Sequence, residues 1–154
     1  MALTVGDSVP GDRLPSSSGK EVALTDYKGK KIVLYFYPKD DTPGCTAEAC
    51  DFRDNLKNYE DLNAVIIGVS KDPLKSHDKF IEKYKLPFEL LSDEEGKLLE
   101  AFGVWKEKSM YGKTFLGVER SSFLIDEEGK IVKEWRKVSV SNHVAEILEE
   151  LKSM

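Results

Sequence analysis

Two runs of residues limit what this chain can fold into more than any others. "IVLYFY" (32–37) and "AVIIGVS" (64–70) are unbroken, β-rich and apolar. A strand with one wet face alternates apolar and polar residues, whereas a strand covered on both faces does not. These two runs therefore predict central strands of a sheet with layers on both sides. "KEVAL" (20–24), "SSFLID" (121–126) and "KIVKEW" (130–135) predict three further strands, the last two joined by "EEG" as a hairpin. Helical spacing fills the gaps at 43–59, 73–84, 97–102 and 142–152. In 73–84 it groups Phe80, Ile81 and Tyr84, and in 142–152 it groups Val144, Ile147, Leu148 and Leu151. Strands alternating with helices give an α/β fold, and the late hairpin adds an antiparallel edge.

Residues 1–20 are rich in Gly, Pro and Ser and predict an irregular arm. Nothing else reads as a linker, so 1–154 is expected to be a single domain. A chain of 154 residues with 40% hydrophobic residues can bury a core without disulfides. Its net charge of −5 argues against nucleic acid or an anionic membrane as the main partner. The start, "MALTVGDSVPGDRLP", has neither the basic opening nor the apolar run of a signal peptide. A cytoplasmic protein is the expectation, unless a transit peptide has been trimmed. In a reducing compartment, cysteines serve reactivity or metal binding more often than structure.

The only cysteines are Cys45 and Cys50, inside "FYPKDDTPGCTAEAC". Thr42 suits a helix N-cap, and Pro43 falls at the first helical position, where its missing N–H is harmless. Cys45 is then the third helical residue. Its sulfur lies beside unpaired backbone N–H groups and the positive end of the helix dipole, which favour thiolate over thiol. Cys45, Ala49, Phe52, Leu56 and Tyr59 form an apolar stripe, while Cys50 belongs to a side with Thr46, Arg53 and Lys57. Residues five apart on a helix are turned by about 140° with Cα atoms about 8–9 Å apart. A disulfide tolerates about 7 Å at most. The pair cannot bond in an intact helix, so a reactive pair that joins only when the helix opens is expected. Metal binding is not expected, because the remaining ligand candidates, His77 and His143, stand alone on helical segments and are placed on solvated faces. Asp40 and Asp41 would oppose a nearby thiolate and are also placed in solvent.

These residues carry a resemblance. Pro38-x-x-x-Thr42-x-x-Cys45, the position of Cys50, "GVSKD", "SHDKF", "PFELLSD", "GVW" and "SMYGKTFLGVERSSFLID" together resemble the peroxiredoxins, specifically the Q type, also called bacterioferritin comigratory protein. The resemblance implies a thioredoxin-like fold, a central mixed β-sheet flanked by helices. It implies a thiol peroxidase acting without metal or flavin on hydrogen peroxide and organic hydroperoxides. Cys45 would be the peroxidatic cysteine and Cys50 the resolving one. Pro38, Thr42 and Arg120 would shape the active site, Arg120 as the cation beside the thiolate. Gly44 would offer a backbone N–H, and Glu48 would orient Arg120. Thioredoxin or glutaredoxin would be the reductant. A monomer is expected, since one chain supplies both sulfurs. Two other readings stay open: a thiol–disulfide oxidoreductase, which usually carries C-x-x-C, and a redox-sensing or chaperone-like binding protein.

Overall fold

The structure, a computed structural model, describes residues 2–154. The central sheet has five strands: β3 (Lys31–Phe36), β4 (Ala64–Ser70), β5 (Glu89–Ser92), β8 (Ser121–Ile125) and β9 (Ile131–Trp135). Their order is β5-β4-β3-β8-β9, with β3, β4 and β5 parallel and β8 and β9 antiparallel to their neighbours. The two apolar runs are thus the central pair, as two-sided burial requires. Ile32, Leu34 and Phe36 point into one core with Leu98, Leu99 and Phe102. Val33, Tyr35 and Tyr37 point into the other, with Cys45, Ala49 and Phe52. The second core is closed by α1 (Pro43–Asp54), α2 (Leu56–Glu60), α3 (Leu74–Tyr84) and α5 (His143–Lys152). The first is closed by α4 (Lys97–Ala101) and the N-terminal arm. Gly68 on β4 faces Tyr35, and a β-carbon there would lie 2.8 Å from both the Tyr35 ring and Leu90. The close ring-to-backbone approach leaves room only for glycine.

Several expectations are corrected. The arm is not wholly irregular: β1 (Leu14–Pro15) pairs with β2 (Glu21–Val22), the "KEVAL" segment, and Val9 and Leu14 are buried. The helix expected over 43–59 breaks at Asn55, whose side chain donates to the Asp51 carbonyl at 2.9 Å and whose backbone leaves the helical region at φ −109°, ψ 7°. An Asn amide that serves the preceding turn competes with the next helical bond. The strand β5 was not foreseen, nor was the hairpin of β6 (Trp105–Met110) and β7 (Lys113–Val118). Its two-residue turn places Tyr111 and Gly112 at φ 52° and 76°, the left-handed pair that matches strand twist. Among the described residues, no helix is long and apolar enough to cross a membrane.

Candidate active site

The site is built where β3 ends and α1 begins. Pro38 stops the strand, and the loop 38–42 turns the chain back into α1. Thr42 occupies the N-cap, but its hydroxyl does not cap: it donates to the Lys39 carbonyl at 2.8 Å, stiffening the loop and leaving its lone pairs open. Pro43 sits in the first turn as expected. The N–H groups of Gly44 and Cys45, in that same turn, have no intrahelical carbonyl to reach. Cys45 is 2% exposed, on the core side of the helix, and Cys50 is half-buried. Both thiols are free, and both lie inside α1, where helical geometry keeps them too far apart to bond.

Arg120, just ahead of β8, completes the arrangement. Its Nη2 donates to the Cys45 sulfur at 3.2 Å and its Nη1 to Glu48 Oε1 at 2.6 Å. One guanidinium fork therefore holds the sulfur with one tine and a buried carboxylate with the other. Burial works against the Arg120 charge, but Glu48 and then the Cys45 sulfur outweigh it and raise its pKa. Burial pushes Glu48 up to about 7 even though Arg120 pulls it down. Its second oxygen has no partner. Glu48 thus meets Arg120 at Nη1 while the Cys45 sulfur meets it at Nη2.

A cleft of about 550 Å³ opens over Arg120 and is lined by Pro38, Lys108, Met110, Phe115 and Val138 among others. Pro38 is exposed at its edge, so it shapes the rim. The hairpin residues Lys108, Met110 and Phe115 were missed from sequence. The Tyr-Gly pair, suited to a two-residue hairpin turn, was the available signal, since neither "WKEKSM" nor "KTFLGV" alternates cleanly. Gly44 is tightly fitted. A β-carbon there would lie 3.2 Å from Arg120 Nη2 and 3.9 Å from Val140. Gly44→Ala is therefore expected to push the guanidinium off the sulfur and lower peroxidase activity about tenfold. Alanine favours the helix, so the melting temperature should not fall with it. Steady-state peroxide consumption beside a thermal melt checks both halves.

Three placements are corrected. Asp40 is buried, and only Asp41 faces solvent, tied to Lys83 at 2.8 Å and to the Tyr84 hydroxyl at 2.7 Å. Neither histidine lies on a solvated face. His143, at the start of α5, has Nε2 hydrogen-bonded to the Ser122 hydroxyl at 2.8 Å. Burial, with the Arg120 charge, lowers its pKa to about 4, so it stays neutral beside the site. His77 is 0% exposed and bonded to Asp40. The signal for His77 was its spacing: it sits three residues before Phe80 and seven before Tyr84, on the buried stripe of α3.

Comparison with known proteins bears on what this arrangement does. Residues 5–134 match the model of the AhpC/TSA family. The chain is 58% identical over 154 residues to peroxiredoxin Bcp of Bacillus subtilis (strain 168), covering 100% of this chain and 98% of that one. It superposes with TM-score 0.91 on Xanthomonas campestris bacterioferritin comigratory protein, at 44% identity, covering 97% of this chain and 98% of that one. That protein was studied for its alkyl peroxide reduction activity through trapped intermediate/ligand complexes. A cysteine-to-serine variant of Xylella fastidiosa PrxQ superposes with TM-score 0.94 at 41% identity, covering 99% and 98%. The mixed sheet flanked by helices is therefore the thioredoxin-like fold of peroxiredoxins. With this likeness over essentially its whole length, the chain belongs to the AhpC/TSA family as a peroxiredoxin of the Bcp, or Q, type, and it is a thiol-dependent peroxidase.

Proposed function

We propose that Cys45 attacks the peroxide and that Cys50 resolves the product. The observation that carries this is the Arg120 fork, which places a fixed positive charge 3.2 Å from the Cys45 sulfur. The Cys45 thiolate attacks one peroxide oxygen in line with the O–O bond. The sulfur gains that oxygen and becomes sulfenic acid; the other oxygen leaves as alkoxide or hydroxide and takes a proton. Charge moves from sulfur to the departing oxygen, and Arg120 and the first-turn N–H groups of Gly44 and Cys45 line its path. The Thr42 hydroxyl, its own proton on the Lys39 carbonyl, turns lone pairs to the site and accepts the O–H of the bound peroxide. Glu48 is a positioning residue acting through Arg120. Pro38, without an N–H and at the rim, keeps water from the thiolate.

The Cys50 thiol then attacks the sulfenic sulfur, forming the disulfide and releasing water. The start of α1 must open for this, because the intact helix holds the two Cα atoms beyond disulfide reach. First-turn bonding is already incomplete, so local opening there costs less than global unfolding. A dithiol, thioredoxin or glutaredoxin, reduces the disulfide and is itself oxidised. Hydrogen peroxide and organic hydroperoxides are the substrates. The apolar Met110 and Phe115 at the cleft, and the alkyl peroxide activity studied in the Xanthomonas campestris protein, support the organic class. Residues 1–154 act as one domain, as a monomer, in the cytoplasm. The shared sheet under both cores supports the first, the single-chain pair of sulfurs the second, and two free thiols, suited to a reducing compartment, the third.

Cys50→Ser tests the division of roles. The reduced variant should consume one equivalent of peroxide per chain at the wild-type rate and then stop in a thioredoxin-coupled assay. Mass spectrometry should find one added oxygen on Cys45. Continued turnover by that variant would remove Cys50 from the mechanism.

A further inference from the structure

Five residues before Cys45, the buried carboxylate of Asp40 collects three donors from two other elements. The Tyr37 hydroxyl at the end of β3 donates to Oδ1 at 2.5 Å. From α3, the Ser76 hydroxyl and His77 Nδ1 donate to Oδ2, each at 2.7 Å. The Asp40 backbone N–H donates to Asp72 Oδ2 at 2.8 Å, and that oxygen also accepts from the Ser70 hydroxyl at 2.7 Å. The far side of the His77 ring is occupied too, with Nε2 2.9 Å from the Leu91 carbonyl on β5. Asp40, Asp72 and His77 offer ligand atoms within 4.8 Å of one another, but these bonds already bind those atoms to their protein neighbours.

Both ring nitrogens of His77 face acceptors. A carbonyl accepts only, and an ionised carboxylate accepts only, so the ring satisfies both as imidazolium, with two N–H donors. A neutral ring has one N–H and must turn a lone pair toward one of these oxygens, which is unfavourable in a buried site. We infer that the His77–Asp40 pair is a proton-operated latch: with His77 protonated it pins the loop 38–42 to α3 and keeps Cys45 in its pocket, and with the proton lost the loop releases and Cys45 moves toward Cys50. His77 is thus a positioning residue for the balance between peroxide attack and resolution. Among the described residues, the other ties from this loop to α3 are the Ser76 hydroxyl on Asp40, which gives up nothing when His77 loses its proton, and the exposed, weaker bonds from Asp41 to Lys83 and Tyr84.

The groups facing the His77 ring are Asp40 from the loop, Tyr37 just after β3, Asp72 from the turn after β4, and the Leu91 carbonyl from β5. Burial lowers the pKa of His77, but the hydrogen bond and charge of Asp40 outweigh it, and the net direction is upward. The sign follows. A pKa raised in the folded state gives a latch fully formed below the ordinary histidine value of about 6.5 and lost as pH rises through the higher folded value.

The inference rests on the Cys45–Cys50 assignment only for its catalytic consequence, and its first test does not use that assignment. Hydrogen exchange of the reduced protein, corrected for the intrinsic pH dependence of amide exchange, should show protection in 39–46 falling as pH rises from about 6 to about 8.5. Amides of β3 and β8 should hold. In His77→Gln the same segment should open about tenfold more at the low pH, the scale of one lost buried hydrogen bond, and its pH dependence should flatten. Glu48 on α1, with its pKa near 7, titrates in the same window but is present in both proteins, so the difference between them isolates His77. Stopped-flow fluorescence after one equivalent of peroxide should show faster disulfide formation in the variant. Nitrogen NMR of the wild-type ring should find both nitrogens protonated at about pH 6. That measurement decides the matter even where the variant fails to fold. A neutral ring at that pH, or coincident exchange profiles for wild type and His77→Gln, would overturn the latch. Altered exchange with unaltered disulfide formation would keep the latch and sink its tie to Cys50.

Discussion

Cys45→Ser should show no peroxide consumption above the reagent blank, with any reductant. Attack on the O–O bond needs a polarisable nucleophile that is ionised near neutral pH, and a serine hydroxyl is neither. The substitution keeps the size of the side chain, the helix and the Arg120–Glu48 pair, so the protein should fold as before. It also leaves Cys50 in place, which makes the result informative. Cys50 lies deeper in α1, away from Arg120, beside an Arg53 whose guanidinium already serves Asp54 at 2.9 Å and the Tyr84 carbonyl at 2.7 Å. It has no first-turn N–H groups to receive a peroxide oxygen. Full turnover by Cys45→Ser would mean that Cys50 attacks and that the charge at Arg120 serves something else. A chain that instead exchanged disulfides with proteins, without consuming peroxide, would mark a thiol–disulfide oxidoreductase; thioredoxin-coupled assays of both variants separate the cases.

Arg120→Ala should lower kcat/KM for peroxide about 100-fold, the usual scale for losing one donor aimed at developing charge. Two effects act together. The sulfur loses the guanidinium that donates to it at 3.2 Å, so iodoacetamide alkylation of Cys45 should slow. The departing oxygen loses a donor as well. Stability should fall as well, since Glu48 is left buried without its partner. With its pKa already near 7 while paired, Glu48 should take up a proton instead of remaining as a bare buried charge. The cost should therefore be about 1–3 kcal/mol, that of an unsatisfied buried group, below the 3–5 of an isolated buried ion. Urea denaturation measures it. Arg120→Lys should recover part of the alkylation rate and little of the peroxidase rate, because a point charge cannot hold Cys45 and Glu48 at once. An alkylation profile identical to wild type in Arg120→Ala would show that the guanidinium does not act on the sulfur.

What the amino-acid order determined by itself is what depends on near neighbours. β3 and β4 were legible because two-sided burial removes alternation from "IVLYFY" and "AVIIGVS". The start of α1 was legible because Thr42, Pro43 and the third-position Cys45 act within one turn. The impossibility of a Cys45–Cys50 bond in that helix followed from its pitch alone. The break at Asn55 also had a local cause, but a side chain that can go on helping the helix or end it does not announce which. Only the tertiary structure decided the rest. Arg120 reaches the Cys45 sulfur across 75 residues of chain, and at its own position it would pass for a solvated edge residue. The β6–β7 hairpin lies apart from the main sheet and packs weakly, so its pattern carries little hydrophobic signal. Asp40 and His77 are polar residues that a one-dimensional reading sends to solvent. Each is buried because the other arrives from 37 residues away to satisfy it, and a buried charge is tolerated only when its partner is in place.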